Sequence, residues 1–430
     1  MWSATSFRRS SFLCNLSPNF SRDNTGVSGS GVLQPSVQAS KCTIYTRAQC
    51  FLARRNKLIL RSSTNSETAV IRTSESEENP GPELETVHEP RKDSMKDNPI
   101  ALPPDRRELW KAAIKIPMYS VAVVPITVGS AAAFLETGKF AASQFGGVLL
   151  ASLLIIAWLN LSNDAFDAET DVDKGKPESV VNLLGGNRRA VLLMSLAAFA
   201  AGAGIMAASL APVVQADPRV GAWLAAAVAC GYVYQGPPFH YQGPPFRLSY
   251  KGLGEPLCFA AFGPLATGAF YLAQRFAASP GSAGAPVAGL LWLCSAIVGV
   301  TTSAILFCSH FHQISGDRAA GKMSPLVRLG GALGARVLNG AVAAPYMALA
   351  VATATGAAPW PLVAASAVSL PAAVFLVDFV TSSYSKPEVV RFSKLHAISW
   401  HVAFGFSLTA ALVFLRFAAA MPWIAVTLPS

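Results

Sequence analysis

Nine apolar stretches recur between residues 113 and 418, each close to the ~20 residues a helix needs to cross a bilayer. Their approximate limits are 113–135, 144–162, 190–211, 220–235, 255–274, 287–308, 332–354, 360–381 and 397–418, the fourth being the shortest. The expected fold class is an all-α polytopic membrane protein with nine transmembrane helices. A soluble reading fails on composition. Charged residues are 13% of the chain and hydrophobic residues 52%, with a mean hydropathy of +0.40, whereas soluble domains carry roughly 25% charged residues. Pro117, Pro125, Pro264, Pro345 and Pro371 fall inside the expected spans. Membrane helices accept proline where neighbours satisfy the freed carbonyls.

Nine spans make a testable claim about charge. If the helices alternate in direction, fifteen Lys/Arg residues fall on the side of the N-terminal flank and four (Lys139, Arg219, Arg275 and Arg416) on the other. A strong bias of this kind sets orientation, and a miscounted helix would scramble it. The N-terminal flank and the connections between spans 2–3, 4–5, 6–7 and 8–9 therefore share the positive side.

Before the spans, composition changes twice. Residues 1–65 hold nine Lys/Arg, twelve serines and one acid, Asp23. An Arg- and Ser-rich, acid-poor leader is the profile of an organelle transit peptide, and in a plastid the positive side would be the stroma. Residues 66–108 hold eleven acids, including the run Glu75–Glu78, and read as a solvated, disordered linker. Residues 109–430 are the membrane domain. Cys230, Cys258, Cys294 and Cys308 have no metal-like spacing and are expected as small core residues.

The acids of the membrane domain are concentrated at the end of span 2. Asn160, Asp164, Asp167 and Asp171 fall within about 60° of one another at 100° per residue. Three carboxylates on one stripe at the mouth of an apolar bundle would repel one another and lose solvation. A divalent cation removes both penalties, and an all-oxygen donor set favours Mg²⁺ or Ca²⁺ over zinc. Mg²⁺ commonly bridges one or two carboxylates to substrate phosphates. Asn163, Lys174 and Lys176 flank the stripe.

A second polar cluster follows span 6. His310, Gln313 and Asp317 share one helical face and His312 lies on another. Arg318, Lys322 and Arg328 come next, and these cations suit an anionic, phosphate-bearing ligand. Spans 2 and 6 end on the same side, so the two clusters can converge. Between spans 4 and 5 the unit Tyr-Gln-Gly-Pro-Pro-Phe-His/Arg occurs twice in tandem, at 234–240 and 241–247. The second copy supplies Arg247 and continues to Lys251, so it is expected at the site. The first is expected as an extension of span 4, with Tyr234 at the membrane–water boundary.

The motif Asn163-Asp164-x-x-Asp167-x-x-x-Asp171 after a membrane helix resembles the UbiA superfamily of intramembrane prenyltransferases, over about residues 110–418. The runs 178–185, 242–256 and 317–322 are similar to the branch that acts on 1,4-dihydroxy-2-naphthoate, of the plant phytyltransferase type in phylloquinone and menaquinone synthesis. The resemblance implies a UbiA-like bundle and a Mg²⁺-dependent prenyl transfer. The prenyl diphosphate, phytyl diphosphate in that branch, and the dihydroxynaphthoate are its two substrates, and the acceptor loses its carboxyl group. It also implies that Asp164, Asp167, Asp171 and Asp317 are the catalytic metal ligands. Asn160, Asn163, Lys174, Lys176, Arg247, Lys251, His310, Gln313, Arg318, Lys322 and Arg328 become the expected substrate binders. The second motif departs from the family pattern, reading Ser309, Gln313 and Asp317, one carboxylate fewer.

Other readings stay open at this point. Within the enzyme class the rival readings are homogentisate prenyltransferase and chlorophyll synthase. A membrane transporter also places carboxylates among broken helices, but here the acids lie near one face. Asp378 is the one acid expected in mid-span, and a buried polar contact accounts for it as well as a proton relay.

Overall fold

The computed structural model of the chain describes residues 105–168, 177–235 and 247–419. The expected leader and linker (apart from residues 105–108) and residues 236–246 of the tandem repeat lie outside them. Among the described residues the chain is helical and contains no strand. Nine membrane-length columns follow in order: α1 (Ser120–Thr137), α2 (Ala142–Asp167), α3 (Arg188–Ala216), α4 (Pro218–Gln235), α5 (Gly254–Ala278), α6 (Gly289–His310), α7 (Pro325–Ala354), α8 (Pro361–Ser383) and α9 (Ser393–Ala419). Eight segments are long and apolar enough to cross a membrane, and α4, at 18 residues, is the column not counted among them.

The centre of the bundle is built from α1, α5, α6 and α9. Val124, Ile126 and Val128 of α1, and Trp400 and Phe404 of α9, are fully buried. Without a hydrophobic driving force between helices in lipid, close approach depends on small residues. A Cβ on Gly129 would lie 2.7 Å from the carbonyl oxygen of Thr267, and one on Gly263 would lie 2.8 Å from that of Ser295. Those contacts pull α1 and α6 against α5.

Of the five prolines expected inside spans, Pro125 and Pro345 lie within α1 and α7 without a break, and the other three mark irregularities. Pro117 sits in a 3-10 turn, Ile116–Tyr119, ahead of α1. Pro371 restarts α8 after the 3-10 turn Ala367–Ser369. Pro264 lies in a wide π-helical stretch of α5, Ala261–Thr267, where the Thr267 hydroxyl donates to the Phe262 carbonyl at 2.8 Å. Asp378 departs from expectation, because it is exposed on the outer surface of α8 and not buried.

The far end of the bundle is tied by a polar network. Arg275 is 1% exposed and donates to the carbonyls of Ala285 and Pro286 and to the Tyr271 hydroxyl, which in turn bonds Glu136. Arg219 pairs with Asp217 at 2.5 Å and reaches the same Ala285 carbonyl at 3.0 Å. Two of the four cations expected on that side thus anchor the α5–α6 connection.

Candidate functional site

A cavity of about 420 Å³ opens at the other end. There the C-termini of α2, α4 and α6 meet the N-terminal flanks of α1, α5, α7 and α9, so the connections expected on the positive side do converge.

The first wall comes from α2. Asn160, Asn163 and Asp164 of its last turns line the cavity, and Asp164 is buried. Lys115 Nζ donates to Asp164 Oδ1 at 2.7 Å and the Val180 amide donates to Oδ2 at 3.0 Å. Lys115, counted in the sequence only as a positive-side cation, is therefore a cavity residue. It ends the helix Arg106–Ile114 in a left-handed conformation, φ 54° and ψ 40°, and is the only non-glycine with positive φ among the described residues. Such backbone is uncommon outside Gly, Asn and Asp and clusters at functional sites.

The second wall follows α6. The helix ends at His310, tightens into the 3-10 turn Phe311–Gln313 and resumes over Ile314–Ala319. His310, Gln313 and Asp317 line the cavity as expected, and so does His312. A uniform α-helix would have turned His312 away, but the tighter 3-10 spacing rotates it back. Lys322 Nζ lies 3.2 Å from Asp317 Oδ2 and 3.2 Å from His310 Nε2, and His310 Nδ1 lies 3.3 Å from Glu255 Oε1. An ammonium group only donates. His310 Nε2 therefore accepts, and Nδ1 carries the proton that goes to Glu255. Glu255 sits in the first turn of α5, where an acid complements the helix dipole. It was not singled out from the sequence, although an acid directly before Pro256 at a helix start was the available signal.

The third wall joins α4 to α5 through Tyr234, Arg247, Ser249 and Tyr250. The Ser249 hydroxyl donates to the Tyr234 carbonyl at 2.7 Å, which holds Tyr234 in the cavity wall. Arg247 donates to the Tyr250 hydroxyl at 3.1 Å and packs 5.0 Å above its ring centroid. The deeper lining is apolar, with Met118, Ile156, Leu257, Phe262 and Ile305. Cys230 and Cys258 also line it, whereas Cys294 and Cys308 are core residues as expected.

Three expected binders stand outside this wall. Arg318 is exposed and donates to the Val327 carbonyl at 3.2 Å. Arg328 donates to the carbonyls of Met323 and Lys251, at 3.1 and 2.9 Å, and so fastens the α6–α7 connection to the segment before α5. Lys251 is exposed and contributes that carbonyl. Asp171, Lys174, Lys176 and the side chain of Asp167 lie outside the described residues.

The donors present suit a hard divalent cation. Asp164 and Asp317 are buried carboxylates in one cavity, with the amide oxygens of Asn160 and Asn163 beside them. Asp317 Oδ2, although near Lys322, accepts no hydrogen bond of good geometry and has lone pairs to offer. Among the described residues no three His, Cys, Asp or Glu side chains form a metal site by themselves.

A profile of the UbiA prenyltransferase family matches residues 122–398. The chain is 45% identical over 314 residues to the Arabidopsis thaliana protein named 2-carboxy-1,4-naphthoquinone phytyltransferase, chloroplastic, covering 73% of this chain and 78% of that one. It is 44% identical over 308 residues to the 2-carboxy-1,4-naphthoquinone phytyltransferase of Synechocystis, covering 71% and 94%. Among solved structures, a UbiA homolog from Archaeoglobus fulgidus bound to GPP and Mg²⁺ overlaps with a TM-score of 0.41 at 15% identity, over 70% of this chain and 99% of that one.

Proposed function

We propose that this chain, which belongs to the UbiA prenyltransferase family, moves a phytyl or related polyprenyl group from its diphosphate to 1,4-dihydroxy-2-naphthoate, with loss of the acceptor's carboxyl group. The observation that carries this reading is the division of one cavity into a charged mouth and an apolar floor. Lys115, Asp164, Arg247, Asp317 and Lys322 form the mouth, and Met118, Ile156, Leu257, Phe262 and Ile305 the floor. A prenyl diphosphate has the same division. The names of the two relatives support a phytyl donor and a carboxylated naphthoid acceptor, written there as the quinone, of which the dihydroxynaphthoate is the two-electron-reduced, electron-rich form.

Asp164 and Asp317, with Asn160 and Asn163, would hold Mg²⁺, and Asp167 and Asp171 belong to the same proposed set. When bound, Mg²⁺ neutralises the diphosphate and makes it a better leaving group. Lys322 is aimed by Asp317 and His310, and His310 is held by Glu255, so the ammonium is positioned before substrate arrives. Lys115 and Arg247 add positive charge from the other walls. Breaking the prenyl C–O bond leaves an allylic cation, which the apolar floor shields from water and the rings of Tyr234, Tyr250 and Phe262 stabilise. The electron-rich acceptor ring attacks that cation to form the new C–C bond. The carboxylate leaves as CO₂, returning its C–C bonding pair to the ring and restoring aromaticity, while the diphosphate is the other product.

The same reading extends to location. Residues 1–65 act as a chloroplast transit peptide, residues 66–108 as a linker, and the cavity faces the stroma. A fusion of residues 1–65 to a fluorescent protein should enter plastids, and a cytosolic signal would exclude it. For the reaction, purified full chain is given Mg²⁺, phytyl diphosphate and either dihydroxynaphthoate or homogentisate. The expected product is the prenylated, decarboxylated naphthoid. Turnover of homogentisate alone would move the chain to a different acceptor class.

A further inference from the structure

Two charged side chains on the outer surface are used by nothing described so far. Arg336 lies in α7 and Asp378 in α8, and both are exposed where those helices would face lipid. Among the described residues neither side chain takes part in an ion pair or a side-chain hydrogen bond. Asp378 contributes only its main-chain carbonyl, which accepts from the Ser382 hydroxyl at 2.8 Å.

The two charges lie at one depth. The helices neighbour each other and run antiparallel. Gly331 faces Tyr384, since a Cβ there would lie 3.1 Å from Tyr384 Cδ2 and 3.3 Å from its carbonyl oxygen. At ~1.5 Å per residue, five residues onward from Gly331 is Arg336 and six residues back from Tyr384 is Asp378. The two therefore sit within roughly 1.5 Å of the same level, about 8 Å in from that contact. An arginine can extend its stem toward the interface, but an aspartate is too short to do so. Below them the exposed surface of α7 is apolar, with Val337 and Met347 on either side of two small residues. Gly340 and Ala344 are exposed, and a Cβ on Gly340 would meet nothing within 4 Å. Small residues allow membrane helices to approach closely.

We infer that this face of α7 and α8 is where two copies of the chain associate, through reciprocal ion pairs between Arg336 of one copy and the partner's Asp378. A two-fold interface presents the same patch from both sides, so one contact satisfies both charges twice. An anionic lipid would satisfy Arg336 alone, and a basic protein Asp378 alone. The second copy is the occupant that answers both.

The test uses full-length chains carrying two different tags, co-expressed in one membrane, solubilised together and captured through one tag. Wild-type copies should co-capture. Asp378→Arg alone and Arg336→Asp alone should each lower capture at least tenfold, because each homodimer then opposes like charges. Mixing Asp378→Arg copies with Arg336→Asp copies should restore it, since opposite charges then face each other at both contacts. Prenyl transfer per copy should be unchanged throughout, which separates loss of pairing from loss of fold. If a reversed-charge variant does not accumulate, Asp378→Asn replaces it and should still lower capture, with full capture overturning the inference. Wild-type copies that stay single overturn it, as does a mixture that fails to pair. Loss of capture with Arg336→Asp but not with Asp378→Arg would point to an anionic lipid and also overturns it.

Discussion

Lys115 Nζ stands 2.7 Å from Asp164 Oδ1, so a lysine that enters before α1 neutralises the first acid of the motif that closes α2. The pair is asymmetric. The Asp164 side chain is 5% exposed and that of Lys115 31%. Removing the lysine leaves a buried carboxylate with the Val180 amide as its remaining described donor.

Lys115→Ala should therefore destabilise the ligand-free protein by about 1–2 kcal/mol, the lower part of the range for orphaning a buried acceptor because solvent screens the exposed lysine. Lys115→Gly loses the same charge but suits φ 54°. It should be more stable than the alanine variant by about 1 kcal/mol. Thermal unfolding of the two variants, with and without Mg²⁺ and inorganic diphosphate, reads both effects. An alanine variant as stable as wild type would mean that the pair contributes nothing.

Asp164→Asn and Asp317→Asn keep volume and remove charge from opposite walls of the cavity. Each should lower kcat by about 100-fold or more, the scale of losing one electrostatic stabiliser, with membrane insertion intact. Chelation with EDTA should abolish wild-type turnover, and added Mg²⁺ should restore it. Full activity in EDTA would remove the divalent cation from the mechanism.

Glu255 acts on the site through His310 and Lys322. Glu255→Gln weakens the hydrogen bond that fixes the imidazole, so the ammonium loses its aim. KM for the prenyl diphosphate should rise about tenfold, equivalent to ~1.4 kcal/mol, with a smaller change in kcat. Arg328→Ala serves as the contrast, because Arg328 fastens two connections outside the cavity wall. Its KM should stay within about twofold of wild type, given the usual small effect of exposed side chains. Equal effects from the two variants would contradict the assignment of walls.

The Arg219 guanidinium beside Asp217 holds that carboxyl down at about 2. The unfolded value is near ~3.9, so the folded value is lowered. The pair's stabilisation is then fully present above about pH 4 and is lost as pH falls toward 2. Asp217→Asn should lower the melting temperature at pH 7, and the gap from wild type should close below about pH 4. Activity per folded molecule should not change, since this network ties the far end of the bundle. A gap that persists unchanged at pH 3 would assign the effect to packing.

The helical columns and the end of the bundle where the charged connections converge were legible in the sequence, because each depends on a property of consecutive residues. Hydrophobic length decides whether a helix can cross a bilayer. Lysine and arginine counts decide which connections share a side. A 3.6-residue period places Asn160 and Asp164 on one stripe of α2. Tertiary structure decided which charges meet. Lys115 and Asp164 are 49 positions apart, and Glu255 and His310 are 55 apart. No local pattern encodes those partnerships. Whether an arginine binds ligand, as proposed for Arg247, or fastens a loop, as Arg328 does, depends on carbonyls supplied by distant turns. His312 shows the same limit over a shorter range: its face follows from a helix that tightens to three residues per turn, and packing at the end of α6 sets that pitch.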